Sequence, residues 1–342
     1  MTDASTLPLA CVILAAGKGS RLKSDLPKVL HPVAGEAVLA HILRACGAMN
    51  PQRLVLVVGP DMEDVEQAAA PHECVVQTKQ LGTGHAVMAA RAALQGFVGD
   101  VLVVYGDHPL LTPHTLQALV DARRQSGAQA SVMGFCPPDP ASYGRFITDE
   151  SGALKEIVEF SDASPEQKAI TLVNCGLMTL VAPQCWDQLA RIDNKNAKEE
   201  YYLTDLVSLI NREGGLCAYS VAPLDETPGF NDRAQLAEVE RAMQERLRRQ
   251  AMEQGVTLVA PETVFLCADT KLGRDVIIHP HVVFGPGVVV EDRAEIGPFC
   301  HVQQLRVRKG TKLTVTPDSG PLVHGDSVTP FSGPHPRSRY GT

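Results

Sequence analysis

The amino-acid sequence predicts an α/β fold in which a mostly parallel sheet, covered by helices, is followed by a short β-helix. Over residues 9–135, apolar runs rich in β-branched residues alternate with amphipathic helical segments, which is typical of successive βαβ units. From residue 256 to about residue 302, apolar β-branched residues recur at near-hexapeptide spacing among Gly, Pro and Asp, as in the coils of a β-helix. A chain of 342 residues also favours two domains, because it exceeds what one hydrophobic core usually organises.

The sheet is predicted from five apolar runs separated by helical segments. We expect strands at residues 9–14, 54–58, 74–77, 101–105 and 131–135. We expect helices at residues 38–49, 62–70, 85–94 and 114–125, with Asp61, Asp100 and Pro113 at element boundaries. Because the helices alternate with the strands, they should cover both faces of the sheet.

The chain changes character after the fifth predicted strand. Residues 146–160 alternate around the turn sequence Asp149-Glu150-Ser151-Gly152, which predicts an antiparallel hairpin. A charged helical stretch after Asn231 is interpreted as a solvated connecting helix, and the Pro- and Ser-rich tail as poorly ordered. The predicted organisation is a first domain at 1–235, a linker helix at 236–254, a partial β-helix at 255–303 and a tail at 304–342.

Composition limits the classes of function. The net charge of -8 offers no basic surface for nucleic acid. Nine cysteines are scattered without CxxC spacing, which indicates reduced thiols and hence the cytosol. The N-terminus lacks the basic region of an export signal, and no stretch reaches the roughly 18 apolar residues of a membrane span. We therefore expect a cytoplasmic protein without nucleic-acid or membrane partners.

The first predicted strand runs into a candidate phosphate site. Residues 14–22 read LAAGKGSRL, and PKVLH follows at 27–31. The glycines allow backbone N–H groups to turn towards an anion, and Lys18, Arg21 and Lys28 bring positive charge. The spacing fits neither a P-loop nor a dinucleotide fingerprint, so a turn without a ligand stays open on this motif alone.

Asp107 is a candidate metal ligand because it follows the most apolar strand, where open α/β sheets place their ligands. An Asx turn before Pro109 is the alternative for Asp107. Asn231 stands where the connecting helix should start, so a helix N-cap is its default interpretation.

Eight motifs, in this order across residues 14–235, resemble the uridylyltransferase half of a bacterial enzyme family. They are LAAGKGSRL, PKVLH, QTKQLGTGHA, YGDHPLL, SYGRF, NCGLM, EEYYLTD and GFNDR. The family is that of bifunctional N-acetylglucosamine-1-phosphate (GlcNAc 1-phosphate) uridylyltransferase/glucosamine-1-phosphate acetyltransferases. The resemblance implies a Rossmann-like nucleotidyltransferase domain followed by a left-handed β-helix. It also implies transfer of UMP from UTP to GlcNAc 1-phosphate, giving pyrophosphate and the UDP-GlcNAc used for peptidoglycan and lipopolysaccharide precursors.

The resemblance also implies roles for individual residues. One Mg²⁺ would be held by Asp107 and Asn231, with phosphates and water as the other ligands. The positive charges of Lys18, Arg21 and Lys28 would stabilise the reacting phosphates. The residues expected at the nucleotide are Leu14, Ala15, Ala16, Gly17, Gln77, Gly82 and Thr83. The residues expected at the sugar phosphate are Tyr105, Gly106, Gly144, Glu159, Asn174 and Asn231.

Several positions leave alternatives open. The alignment needs one extra residue between Gly144 and Glu159, so Glu156 is a weaker second candidate. Lys198-Glu199 stands where the family commonly carries Gln-Gly. His85 and His108 flank the predicted site, but a sugar phosphate is largely dianionic near neutral pH, its second pKa being about 6, so no base is required. Three residues could line the sugar pocket or pack the next helix: Tyr201, Tyr202 and Thr204.

The family's β-helix continues for many coils and carries an acetyl-CoA-dependent site, for which the tail shows no counterpart. We therefore expect one activity, and a monomer or weak oligomer in place of the family's trimer. Two other functions stay open: an enzyme of the same fold that uses another sugar 1-phosphate or nucleotide, and a catalytically silent regulatory subunit. The retained charged residues argue against a silent protein.

Overall fold

The computed structural model describes residues 7–150, 152–316, 320–324 and 328–330. It contains two compact units. The first is formed by the described residues up to His31 and by Ala37–Leu236. The second is formed by Pro32–Glu36 and the described residues from Ala237 onwards. None of the helices in the described part of the chain combines the length and apolar character that a membrane crossing needs.

The elements up to the long charged helix follow one another in this order: β1 Leu9–Leu14, β2 Pro32–Val33, β3 Glu36–Ala37, α1 Val38–Gly47, β4 Arg53–Val58, α2 Glu63–Ala69, β5 Glu73–Val76, α3 Thr83–Ala89, β6 Gly99–Tyr105, α4 Pro113–Ser126, β7 Ala130–Phe135, β8 Arg145–Thr148, β9 Leu154–Val158, α5 Pro165–Lys168, β10 Val173–Ala182, α6 Gln184–Leu189, α7 Asp205–Arg212, β11 Cys217–Val221 and α8 Arg233–Glu253. The five predicted strands and four predicted helices of residues 9–135 are confirmed. The predicted hairpin is β8 and β9, which pair antiparallel.

The central sheet has the strand order β11-β7-β10-β6-β1-β4-β5, and the β8–β9 hairpin joins it at β10. β1 is parallel to both neighbours, β4 and β6, whereas β10 is antiparallel to β6 and β7. Alternate residues of β1 and β6 feed two apolar clusters, Val12 and Val103 into one, Ile13 and Val104 into the other. Since successive side chains of a strand point to opposite faces, both faces of the sheet are covered.

Asp100 is the second residue of β6, so the boundary predicted there is correct to within one residue. Its carboxylate is fully buried and is compensated by two guanidinium groups of α4. The Nε atoms of Arg123 and Arg124 each lie 2.6 Å from one of its oxygens. A buried carboxylate is tolerated in a core strand when it is paired in this way.

Replacing Asp100 with alanine should lower the free energy of unfolding by about 3–5 kcal/mol, because two guanidinium groups would lose their buried counter-charge. Urea unfolding measures this loss. The matched control is Asp187→Ala, which removes a carboxylate that is 86% exposed and pairs with Arg91 at 3.6 Å. The control should change the free energy by less than about 1 kcal/mol. Equal losses in the two variants would contradict the assignment of Asp100 to a stabilising buried pair.

The second unit is a β-helix, as predicted. Its strands are β12 Thr257–Leu258, β13 Lys271–Leu272, β14 Ile277–Ile278, β15 Val283–Phe284, β16 Val289–Val290, β17 Glu295–Ile296, β18 His301–Val302, β19 Leu305–Val307, β20 Lys312–Thr316, β21 Gly320–His324 and β22 Val328–Pro330. They stack in three parallel columns, β12-β14-β17-β20, β13-β16-β19 and β15-β18. The inward residues, among them Val276, Val288 and Ile296, form one apolar core.

The coils continue past the predicted end at residue 303. β19 and β20 extend two of the columns. β20 pairs antiparallel with β21, and β19 pairs antiparallel with β22. The prediction of a poorly ordered tail from residue 304 is therefore wrong for these strands. Residues 317–319, 325–327 and 331–342 of the predicted tail lie outside the described residues.

Candidate active site

The predicted motifs meet at one edge of the central sheet. Leu14 at the end of β1 lies opposite Tyr105 at the end of β6, and opposite Val57 near the end of β4. β5 ends beside Val58. The loops that leave β1, β5 and β6 therefore start from the same edge, where open parallel sheets bind ligands.

Two adjoining cavities open at this edge. The first, of about 340 Å³, is lined by these predicted residues: Leu14, Ala15, Ala16, Gly17, Lys28, Gln77, Gly82, Thr83, Tyr105 and Asp107. The second, of about 250 Å³, is lined by these: Tyr105, Asp107, Gly144, Glu159, Asn174 and Asn231. Because Tyr105 and Asp107 line both, the cavities meet at the end of β6.

Three predicted residues line neither cavity. Lys18 and Arg21 are exposed in the loop that follows β1. Gly106 is buried, and its N–H donates to the carbonyl of Leu14 at 2.9 Å. A Cβ at Gly106 would lie 3.1 Å from Val29 and 3.2 Å from that carbonyl, so the glycine allows close packing at the end of β6.

A charged cluster stands at the junction of the two cavities. Lys28 Nζ forms an ion pair with Asp107 Oδ2 and donates a hydrogen bond to Asn231 Oδ1 at 3.1 Å. His108 Nδ1 lies 3.0 Å from the other oxygen of Asp107. Burial would raise the pKa of Asp107, but the charges and hydrogen bonds of His108 and Lys28 outweigh it and hold that pKa well below its ordinary value. Asp107 is therefore an ionised carboxylate.

The contacts of these side chains match neither a helix N-cap at Asn231 nor an Asx turn at Asp107. Helix α8 begins at Arg233, and Asp232 Oδ1 accepts the N–H of Gln235 at 2.9 Å, so Asp232 occupies the capping position. The carboxamide oxygen of Asn231 is left to accept from Lys28. The carboxylate contacts of Asp107 within the described residues are with the side chains of Lys28 and His108.

Lys28 reaches the cluster because the loop after β1 is tightly built. A short 3₁₀ turn carries Lys28, and its Nζ lies 5.3 Å from the centre of the Phe230 ring. Gly19 has a φ of +64°, and a Cβ there would lie 2.8 Å from the Cβ of Lys28. The second glycine of the GKG sequence is therefore needed to pack the loop against Lys28.

The far end of the first cavity is formed by Gln77 and the turn before α3. The backbone N–H of Gln77 donates to Val58 at 2.8 Å. Its side-chain Nε2 donates to the carbonyl of Gly82 at 3.1 Å and lies 3.1 Å from His85 Nδ1. Gln77 is buried, and its carboxamide is held in place from two sides.

The Gly-Thr-Gly turn is docked against the chain before α7. Gly84 N–H donates to the carbonyl of Tyr201 at 2.8 Å, and Thr83 Oγ1 accepts from the N–H of Leu203 at 2.9 Å. Gly82 has a φ of +112°, and a Cβ there would lie 2.6 Å from the same Tyr201 carbonyl. Helix α3 begins at Thr83, which agrees with the interpretation of this turn as a helix start. Gly82 and Thr83 also line the first cavity, so the interpretation as a ligand site is compatible as well.

The second cavity contains the side chains expected at the sugar. Glu159 Oε1 accepts from Thr204 Oγ1 at 3.1 Å and lies 3.4 Å from where a Cβ of Gly144 would stand. Burial is the main cause that raises the pKa of Glu159. Asn174 is tied to Gly144 through its backbone N–H at 2.8 Å. Glu156 is exposed and lines a different cavity, so the structure favours Glu159.

The EEYYLTD residues mainly pack and position their neighbours. Tyr202 and Thr204 are buried, and Thr204 supports Glu159. The ring of Tyr201 lies 6.4 Å from that of His85. The packing interpretation therefore describes these three residues better than direct lining of the sugar cavity.

Sequence reasoning missed Arg145, which holds the loop before Gly144. Arg145 is 2% exposed, and its guanidinium donates to four backbone carbonyls, those of Pro140, Ala141, Tyr143 and Lys168. Arg145 directly precedes the predicted hairpin of residues 146–160, and its acceptors lie in the preceding loop and at Lys168, so periodicity along the sequence gives no sign of its burial.

Two family models match parts of the chain. Residues 11–204 match the MobA-like NTP transferase domain, and residues 269–304 match the bacterial transferase hexapeptide family (six repeats). The chain is 49% identical over 303 residues to the Bifunctional protein GlmU of Paramagnetospirillum magneticum, covering 88% of this chain and 67% of that protein. It is 51% identical over 299 residues to that of Rhodospirillum rubrum, covering 87% of this chain and 67% of the relative.

A solved structure shares the fold. It is that of a UDP-glucose pyrophosphorylase complexed with UDP-glucose, which matches 70% of this chain and 100% of its own with a TM-score of 0.57 at 17% identity. The sequence relatives identify the family, because about half of the aligned residues are identical over 87–88% of this chain, which includes parts of both units. The chain therefore belongs to the GlmU family and is an N-acetylglucosamine-1-phosphate uridylyltransferase.

Proposed function

We propose that the first cavity binds UTP, that the second binds GlcNAc 1-phosphate, and that the charged cluster between them serves the transfer of UMP. The observation that supports this most directly is the junction itself, because Asp107 lines both cavities and contacts Lys28. In the proposed reaction an oxygen of the sugar phosphate attacks the α-phosphorus of UTP in line. A new P–O bond forms, the α–β phosphoanhydride bond breaks, and pyrophosphate leaves with the electron pair.

Enzymes of this type generally depend on a divalent metal ion, and we propose Mg²⁺. The donors fit, because Asp107 Oδ2 and Asn231 Oδ1 both contact the ammonium of Lys28 and so converge on one position for positive charge. Within the described residues no group of three or more His, Cys, Asp or Glu is placed to hold a metal. Two hard oxygen ligands suit Mg²⁺, which retains water and usually binds substrate phosphates. Bound there, Mg²⁺ would supply charge neutralisation at the reacting phosphates.

The side chains of the chain supply positioning and positive charge. Lys28 faces the junction of the two cavities, where it can stabilise the charge that develops on the transferred phosphate. The exposed Lys18 and Arg21, in the loop after β1, are assigned to the leaving pyrophosphate. A dianionic sugar phosphate needs no general base, since its second pKa is about 6.

The remaining polar groups fix the two substrates. Gln77 and Gly82 are assigned to the uracil, with Leu14 and neighbouring backbone groups around the nucleoside. Glu159 and Asn174 are assigned to the hydroxyl and acetamido groups of the sugar. Because no covalent intermediate is formed, catalysis is expected to come from holding the reactants in line and from neutralising the charge on the phosphates.

Pyrophosphate release from purified protein tests the proposal. Turnover should prefer UTP over CTP, ATP and GTP, and GlcNAc 1-phosphate over glucose 1-phosphate and glucosamine 1-phosphate, each by about tenfold or more. Chelation of divalent cations should stop turnover, and added Mg²⁺ should restore it. Preference for another pair of substrates would reassign the cavities, and full activity after chelation would remove the metal from the reaction. A cytoplasmic location, a single activity and a monomeric or weakly oligomeric state stay predictions.

A further inference from the structure

The carboxamide of Gln77 has a fixed orientation. Its Nε2 lies 3.1 Å from the carbonyl oxygen of Gly82, which can only accept a hydrogen bond. The amide nitrogen must therefore face Gly82, and the reversed orientation would place two acceptor oxygens against each other. Gly82 itself cannot shift easily, because the chain at Tyr201 lies against it.

His85 takes up the second hydrogen of the same amide nitrogen. Its Nδ1 lies 3.1 Å from Gln77 Nε2, so Nδ1 must act as the acceptor and the ring proton must be on Nε2. With one hydrogen on Gly82 and the other on His85, both donor positions of the carboxamide are occupied. Among the described contacts, the oxygen Oε1 accepts no hydrogen bond and is left for a ligand.

We infer that His85 is a positioning residue that makes Gln77 present only a hydrogen-bond acceptor to the base, and that it thereby selects uracil over cytosine. This inference rests on the proposed assignment of Gln77 to the base. Uracil carries a donor at N3 between two carbonyl oxygens, whereas cytosine carries an unprotonated acceptor at N3. The acceptor oxygen of Gln77 can accept a hydrogen bond from N3–H of uracil, but it is repelled by the unprotonated N3 of cytosine. Without the His85 acceptor, only the bond to Gly82 holds the carboxamide, which can then rotate and turn an amide hydrogen towards cytosine.

The setting of His85 suits this role. His85 is the third residue of α3, and the backbone of the preceding Gly84 is held by Tyr201 at 2.8 Å. Behind Gln77, the imidazole borders a cavity of about 450 Å³ whose other walls include Met88, Leu189 and Ile192. The backbone of His85 is therefore held by its helix, while the adjacent space accommodates side chains of similar size.

The experiment compares kcat/KM for UTP and for CTP, with saturating GlcNAc 1-phosphate, in four variants. His85→Leu removes the acceptor. It should lower the ratio of kcat/KM for UTP to kcat/KM for CTP about tenfold, as expected when one hydrogen bond that favours uracil over cytosine is lost. His85→Asn places its Oδ1 close to the position of the imidazole Nδ1 and should keep the ratio within about threefold of the wild type. Met88→Leu, in the wall of the same cavity, is the control for packing and should leave the ratio unchanged.

Gln77→Leu separates this inference from the proposed function. If Gln77→Leu lowers the ratio and His85→Leu does not, Gln77 recognises the base but His85 does not set its orientation, and the inference is overturned alone. If Gln77→Leu also leaves the ratio unchanged, base recognition lies elsewhere and both are overturned. A His85→Asn ratio as low as that of His85→Leu would likewise reject the hydrogen-bond argument, because only the loss of the acceptor is expected to matter.

Discussion

Turnover is expected to fall by about 10³-fold or more when Asp107 is replaced with alanine, while the protein stays folded. The carboxylate is ionised and stands at the junction of the two cavities, so its loss removes both a proposed metal ligand and the negative charge opposite Lys28. The fold should survive, because Asp107 follows the end of β6 and belongs to neither apolar cluster of the sheet.

Initial rates of pyrophosphate release over a range of Mg²⁺ concentrations measure the effect. Asp107→Asn keeps one oxygen ligand without the charge, so its rate should lie between those of the wild type and Asp107→Ala. Asp187→Ala, which removes an exposed carboxylate, is the control and should retain the wild-type rate. Near-normal, Mg²⁺-dependent turnover by Asp107→Ala would remove this residue from the reaction.

The sequence predicts the strands and helices of residues 9–135 because the central strands are buried on both faces and appear as continuous apolar runs. It does not predict that β10 enters the sheet antiparallel between β6 and β7. Strand order depends on contacts between distant segments, which periodicity along one segment does not contain.

The sequence does not reveal a buried charge whose partners are distant. Asp100 directly precedes the strand predicted at residues 101–105, and nothing in that pattern indicates that its carboxylate is buried. Its partners Arg123 and Arg124 come from α4, 23 and 24 residues further along the chain. Spacing does not reveal such a pair, so the buried position of Asp100 becomes visible only in the folded structure.

The candidate site shows the same limit. The motifs identify Lys28, Asp107 and Asn231 individually, but 79 residues separate Lys28 from Asp107 and 203 separate it from Asn231. Their convergence depends on β1 and β6 being neighbours and on the chain returning to the same edge before α8. The sequence does not predict that Asp232 caps α8 in place of Asn231 either, because both residue types are good helix N-caps.

Replacing Lys28 with alanine is expected to lower kcat by about 10²-fold, which corresponds to about 3 kcal/mol of lost charge stabilisation in the transition state. The effect should fall on kcat more than on the KM for UTP, because Lys28 contacts Asp107 and Asn231 at the junction of the cavities, whereas the base is assigned to Gln77. Lys28→Met fills most of the same volume without the charge and should lose as much activity as Lys28→Ala. Lys155→Ala, which removes a half-exposed lysine paired with Asp149 at 3.0 Å, is the surface control.

The Mg²⁺ dependence of the same variant tests how the cluster works. The ammonium of Lys28 occupies the point on which Asp107 Oδ2 and Asn231 Oδ1 converge, so it competes with a metal ion for these oxygens. Its removal should therefore leave the Mg²⁺ concentration for half-maximal rate equal or lower, even though kcat falls. An unchanged kcat would assign Lys28 to structure alone. A lower kcat that excess Mg²⁺ fully restores would show that Lys28 acts by helping the metal bind and not by stabilising the phosphate that is transferred.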